Sequence, residues 1–195
     1  MVLAGLAIWY GAIVVLGEKG LFTARPLIAP NMIFAFIAFF YFIRRVYASP
    51  DLQRIFEAIP VSWLMNVQVF RVMGVGFLTL YMTKILPGEF AIPTGVGDIL
   101  VGITGPIVAY IYNLQKSYSR KLAIWWNYLG IADLILAISL GILTYPPFKF
   151  LDFQFIPTEI SNEPIALFPL VIIPLFAVPL SILLHLFSLR VLLKK

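Results

Sequence analysis

Six long apolar runs, each broken by a few polar residues at helical spacing, constrain this chain more than any other feature. They fall near residues 2–20, 27–43, 61–83, 99–114, 122–144 and 164–189. Their lengths of about 16 to 26 residues match the roughly 20 needed to cross the hydrocarbon core of a bilayer. Barrel strands would be near 10 residues and would alternate apolar with polar, so the runs predict helices. Of 195 residues, 62% are hydrophobic and 12% charged, where soluble domains carry about 25% charged residues. The expected fold is therefore all-α: an integral membrane helical bundle of about six transmembrane helices, forming a single domain over residues 1–195, with the lipid bilayer as its first partner.

Charge gives the bundle a direction. Arg44, Arg45, Arg54, Lys116, Arg120, Lys121, Arg190, Lys194 and Lys195 fall in one set of loops and at the end of the chain, whereas Lys19, Arg25, Lys84 and Lys149 fall in the other set. Basic loops stay on the cytoplasmic side, so nine against four predicts both termini inside. The first run lacks a basic leader and a small-residue cleavage site, and is read as a retained helix rather than a signal peptide. The net charge of +5 is explained by this orientation, and no nucleic-acid role is expected. With no cysteine and a single histidine, the sequence offers no thiolate chemistry, no bis-histidine haem ligation and no convincing metal site, so no cofactor is expected.

Two connecting segments have character of their own. In residues 50–60, Leu52, Ile55, Phe56 and Ile59 recur at helical spacing while Asp51, Gln53, Arg54 and Glu57 take the other face, which predicts a short helix at the cytoplasmic interface. Ser49 would cap it and Pro50 would be its first residue. The outer segment 145–163 is rich in aromatics, with Phe148, Phe150, Phe153 and Phe155. It is expected to anchor at the interface or cap the bundle.

Polar residues inside the spans carry the functional reading. Asn127, Gly130, Asp133, Ala137 and Gly141 form one stripe on the fifth span, and Asp98, Gly102, Gly105, Ala109 and Asn113 another on the fourth. Small residues at such spacing let helix backbones approach closely within a membrane. Gln68, Arg71 and Gly74 share a face of the third span; Ser181, His185 and Ser188 lie on the sixth. Counting from the span ends puts Arg71 and Asp133 near the midplane, at about 1.5 Å per residue, and they are expected to pair. An isolated charge at that depth costs at least about 2.5–3.5 kcal/mol. The pair could fix helix register, or it could belong to a ligand or transport path. Asn66, Gln68, Asn127 and His185 are expected toward the cytoplasm, and Thr94, Asp98 and Glu89 toward the outside, with His185 near a helix end. Gln68, Arg71, Asp98, Asn127, Asp133 and His185 are thus the candidate substrate or ion path.

Pro164, Pro169, Pro174 and Pro179 predict an irregular sixth span, since each interior proline removes a backbone hydrogen bond; carbonyls near Leu170 and Leu175 would be freed. Gly95, Val96, Gly97 and Asp98 spell G-x-G-D, which resembles the motif of presenilin-like and prepilin-peptidase-like intramembrane aspartyl proteases, with Asp133 as the second acid. Apart from Glu18 at the end of the first run, no span before Asp98 holds an acid, no Pro-Ala-Leu motif is present, and Asp98 is expected near the outer end of its span while Asp133 is central.

A broader resemblance covers most of the chain. Gln68, Phe70, Arg71 and Gly74, then Leu86, Pro87, Gly88, Phe90, Ala91 and Pro93 running into Gly95, Gly97, Asp98 and Gly102, are similar to a family of small bacterial membrane proteins of uncharacterised activity. Trp126, Asn127, Gly130 and Asp133, and the run from Pro169 through Pro179 to His185, resemble its later segments. The resemblance implies a bacterial inner-membrane location and supplies no activity. Three classes of function remain: a protein binding or translocating a small solute, ion or proton through an internal polar cavity; a structural or accessory membrane subunit; and, on the G-x-G-D motif, an intramembrane aspartyl hydrolase. Either of the first two would suit a homo-oligomer or a larger membrane complex.

Overall fold

The computed structural model describes residues 2–22, 37, 40–41, 43–44, 48–146 and 154–194. Within them the fold is all-α. Helix α1 covers Val2–Glu18 and the short α2 Pro50–Ala58. Four helices are long and apolar enough to cross a membrane: α3 (Val61–Met82), α4 (Gly88–Asn113), α5 (Ser119–Leu143) and α6 (Ile173–Lys194). Among the described residues four spans stand where six were expected along the chain. Helix α1 has 17 residues, about 26 Å at 1.5 Å per residue, short of a hydrocarbon core about 30 Å thick. The expected second span, 27–43, lies outside the described residues apart from Ile37, Phe40, Tyr41 and Ile43.

Two apolar clusters fix the topology. At one end Val61 and Met65 of α3 pack with Val108 and Ala109 of α4, Ala123 and Trp126 of α5 and Leu192 of α6. At the other, Phe77 meets Leu86, Phe90, Ala91 and Ile165, with Leu140 and Ile173 against them. The starts of α3 and α5 therefore lie with the ends of α4 and α6, and the four helices run up, down, up and down, the first three joined by the short connections 83–87 and 114–118. Helix α1 packs outside this bundle, with Trp9 and Ile13 against Val171 and Leu175.

Local chemistry sets the helix ends. Pro60 and Pro87, both extended, precede α3 and α4, where a ring-fixed φ and a missing N–H cost least. Helix α3 closes with Lys84 in the left-handed region (φ 57°). The Ile85 and Lys84 amides donate to the Leu80 and Tyr81 carbonyls at 2.8 and 2.9 Å, a Schellman closure that leads directly into the turn. Helix α4 begins eleven residues before the expected start at residue 99. Pro93 is accommodated inside the helix, and Gly95 and Gly97 face neighbouring helices.

Helix α6 begins at Ile173 rather than at 164. Pro164 belongs to a separate 3₁₀ turn, Glu163–Ala166, and the first turn of α6, Ile173–Ala177, is π-wound around Pro174. The Leu170 carbonyl, expected to be freed, accepts the Ile173 amide at 2.9 Å. Of the outer aromatic segment, Phe148, Phe150 and Phe153 lie outside the described residues and Phe155 is exposed. Residues 154–162 fold onto the end of α5: the Ile156 amide donates to the Leu143 carbonyl, Gln154 to the Thr144 carbonyl and Asn162 to the Thr144 hydroxyl. At the opposite end α2 is tied to α6, with Gln53 accepting from Arg190 at 2.7 Å and Glu57 bridged to Arg190 and, most closely, to Lys194. The Leu52, Ile55 and Phe56 side chains of the expected apolar face of α2 lie outside the described residues.

Candidate functional site

The centre of α3 is wound as a 3₁₀ helix over Gln68–Gly74. At 3.0 residues per turn, positions 68, 71 and 74 eclipse one another, whereas in an α-helix position 74 would rotate away. Gln68, Arg71 and Gly74 are the buried residues of this stretch. Gly74 brings α4 close: a Cβ there would stand 2.5 Å from the Asp98 Cβ and 2.9 Å from the Gly95 carbonyl oxygen. Arg71 is thereby carried into the interior, its side chain only 2% exposed.

Four hydrogen bonds surround its guanidinium. Nε donates to Asp98 Oδ1 at 2.7 Å and Nη2 donates to Asp133 Oδ2 in a closer contact. Nη1 reaches the Gly130 carbonyl at 3.4 Å and His185 Nε2 at 3.3 Å. The Nε/Nη2 edge, which can grip a single carboxylate with both oxygens, is shared here by two carboxylates from different helices. Each aspartate therefore keeps a second oxygen, Asp98 Oδ2 or Asp133 Oδ1, that accepts no hydrogen bond among the described residues. Those side chains retain 17% and 15% exposure, unlike the arginine.

His185 links this centre to a second polar pair. Its Nδ1 lies 2.9 Å from Asn127 Oδ1, and Asn127 Nδ2 donates to the Ala123 carbonyl at 2.7 Å. Because arginine can only donate, Nε2 is the acceptor and Nδ1 carries the proton toward Asn127, which assigns the neutral Nδ1–H tautomer. Trp126 lies against the ring at a centroid distance of 5.1 Å and donates its Nε1–H to the Thr104 hydroxyl at 2.9 Å. Gly130 makes the room, since a Cβ there would overlap the imidazole. On the other side Gln68 and Ser181 form a closed exchange: Gln68 Nε2 donates to the Ser181 carbonyl and Ser181 Oγ donates to Gln68 Oε1, both at 3.0 Å.

All six expected path residues are thus in the bundle, and four of them, Arg71, Asp98, Asp133 and His185, meet around one guanidinium. Gln68 and Asn127 stand just beyond, each fully buried. Two depths are corrected. Asp98, expected at the outer end of its span, is the eleventh residue of α4, about 15 Å from its start, because the helix includes the Gly/Pro segment. His185 is mid-helix for a similar reason, with α6 running on to Lys194. Asn66 and Glu89, by contrast, are exposed and contribute nothing to the interior. Among the described residues, no three or more His, Cys, Asp or Glu side chains are grouped to hold a metal ion.

A family model described as "Domain of unknown function (DUF8737)" matches residues 27–193. The chain belongs to this family. No curated protein and no solved structure matches it. The matched segment of this DUF8737 chain contains α2 to α6 and every residue of the polar centre, and leaves out α1.

Within that segment the G-x-G-D stretch has a packing explanation for each of its fixed letters. Gly95 lies against the Gly74 carbonyl and Leu78 of α3. Gly97 admits the Asp133 carboxylate of α5, which a Cβ would overlap. Asp98 reaches Arg71. Three participants of the polar centre were not expected from the sequence: Thr104, Trp126 as a hydrogen-bond donor, and the Gly130 carbonyl. Only the Gly130 position carried a signal, through its place on the small-residue stripe. The Thr104–Trp126 contact joins residues 22 apart on antiparallel helices and has no local signature.

Proposed function

We propose that this multi-pass membrane protein binds or translocates a small solute, ion or proton at the Arg71–Asp98–Asp133 centre. One observation carries the reading: a fixed register would need only one acid for Arg71, and two are present, each with an oxygen that accepts no hydrogen bond among the described residues. A surplus ionisable group at the middle of a membrane helix is expensive and is a functional candidate by default. His185, Asn127 and Gln68 extend the polar centre toward the end that bears Arg54, Lys116, Arg120, Lys121, Arg190 and Lys194. That basic end is taken as cytoplasmic. Both termini inside, and the bacterial inner-membrane location implied by resemblance, complete the reading.

The accessory-subunit alternative has its own support in the Gln68–Ser181 exchange and in the close helix approach at Gly74 and Gly95, which fix packing. The aspartyl-hydrolase alternative has only the G-x-G-D letters behind it: no Pro-Ala-Leu motif is present, and each fixed letter has a packing or pairing role.

Native mass spectrometry from a mild detergent or nanodisc tests the proposal. The expected result is a stoichiometric non-lipid species retained by the wild type and lost from D133N. A ligand-free protein that travels with another membrane protein would overturn it in favour of the accessory subunit.

A further inference from the structure

We propose that the Asp98–Arg71–Asp133 centre holds one exchangeable proton, carried on a free oxygen of either aspartate, and that the ion it handles is therefore the proton rather than a metal cation. This deepens the binding-centre reading and rests on it.

Arginine stays protonated in a protein. Its single positive charge is met by two carboxylates bonded to one edge of the same guanidinium. With both acids ionised, a surplus negative charge would sit at the middle of the bundle. His185 cannot offset it, because its Nε2 accepts from Arg71 and a second proton there would place two donors face to face. The titratable groups facing the centre from the four packed helices are Arg71 on α3, Asp98 on α4, Asp133 on α5 and His185 on α6. Glu89, the other acid on α4, is exposed about 13 Å away along the helix. Neutrality requires one cationic ligand.

Ligand geometry decides which cation. Hard metal cations take about six or more oxygen ligands. The centre offers Asp98 Oδ2, Asp133 Oδ1 and, one turn outward on the face of Asp98, the Thr94 hydroxyl, which is buried at 5% exposure and has no partner among the described residues. Three protein oxygens would leave a metal to draw half or more of its shell from water, whereas one oxygen is enough for a proton. Residues 94 and 98 share a helix face, and side chains lean toward the helix N-terminus, so Asp98 leans over the turn that carries Thr94. The Thr94 hydroxyl can both accept and donate, and it gives the proton a next station outward. In the step a carboxylate oxygen takes a proton from hydronium, leaving water, and becomes a carboxylic acid, while Arg71 remains paired with the aspartate that stays ionised. Because the two acids hold adjacent nitrogens of one guanidinium, the proton can change aspartates without Arg71 leaving its place.

Infrared spectroscopy of the reconstituted protein near neutral pH is the test. A carbonyl-stretch band of a protonated carboxyl is expected in the wild type. It should shift when aspartate is labelled with carbon-13, vanish in both D98N and D133N, and stay unchanged when sodium chloride replaces potassium chloride. Each single variant is expected to remain folded, since one acid still balances Arg71; the D98N/D133N double is expected to lose monodisperse elution. The isotope shift needs no variant, so it decides even if a substitution fails to fold. Absence of the band, its persistence in both variants, or its displacement by sodium overturns the proton assignment. If the band is absent while native mass spectrometry still retains a ligand, the binding-centre reading survives and only the proton is lost. A band with the expected behaviour and no retained ligand supports the proton and counts against a solute.

Discussion

At the scale of single residues, glycines decide how near the charged side chains can come. Arg71 reaches α4 because Gly74 has no side chain, and Asp133 lies along α4 because Gly97 has none. Gly76, two positions further on the same helix, has nothing within 4 Å of its absent Cβ. The two positions should respond oppositely to the same change. Gly74→Ala forces a carbon onto the Asp98 Cβ and the Gly95 carbonyl, and overpacking of this kind costs about 1–3 kcal/mol. Gly76→Ala meets no neighbour and should be neutral or stabilising by up to about 1 kcal/mol, the helix preference of alanine over glycine. Thermal unfolding of the two variants in the same detergent checks this; equal effects would mean that α3 and α4 do not approach at Gly74. Arg71 and the small-residue stripes were visible in the sequence as unusual residues for a membrane span. Which acid Arg71 would meet was not fully legible, because the depth of Asp98 depends on a helix start that prolines and glycines disguise.

At the scale of elements, winding and anchoring matter more than length. The 3₁₀ stretch of α3 aligns Gln68, Arg71 and Gly74, and the tie between α2 and α6 holds the segment that leads into α3. Glu57 is the hub of that tie. Hydrogen bonding from Lys194, with the charges of Lys194 and Arg190 behind it, holds its carboxyl below the ordinary value of 4.5 against the opposing effect of desolvation. A carboxyl lowered in the folded state contributes stability that is present above its unfolded value and lost as pH falls through its folded value. The thermal midpoint of the wild type should therefore exceed that of E57Q at neutral pH, and the difference should close as pH drops below 4.5. A difference independent of pH would remove the ionic tie. Periodicity announced α2 from its alternating faces. It did not announce the 3₁₀ segment, because apolar residues such as Val67, Val69 and Val72 tolerate either winding and the choice is made by contact with α4.

At the scale of the whole molecule, the bundle places most of its described basic residues at one end and its polar centre midway, and the proposed direction across the membrane rests on that asymmetry. The absence of cysteine makes that direction easy to read. In sealed cells K116C should resist an impermeant thiol reagent and K84C should react, and the reverse pattern would invert the orientation. The sequence by itself determined that the chain is helical and built for a bilayer, because hydropathy and residue length are local properties that need no partner. It determined too that Arg71 and Asp133 lie near one depth, since depth is a count along a helix. Only the tertiary structure decided that four long helices, not six, carry that property among the described residues, and that Asp98 joins Arg71 and Asp133. It likewise decided that His185 faces the same guanidinium as a neutral acceptor. These outcomes depend on where helices begin, how they wind and how closely glycines let them pack. Such quantities are fixed by contacts between segments tens of residues apart, and no local pattern records them.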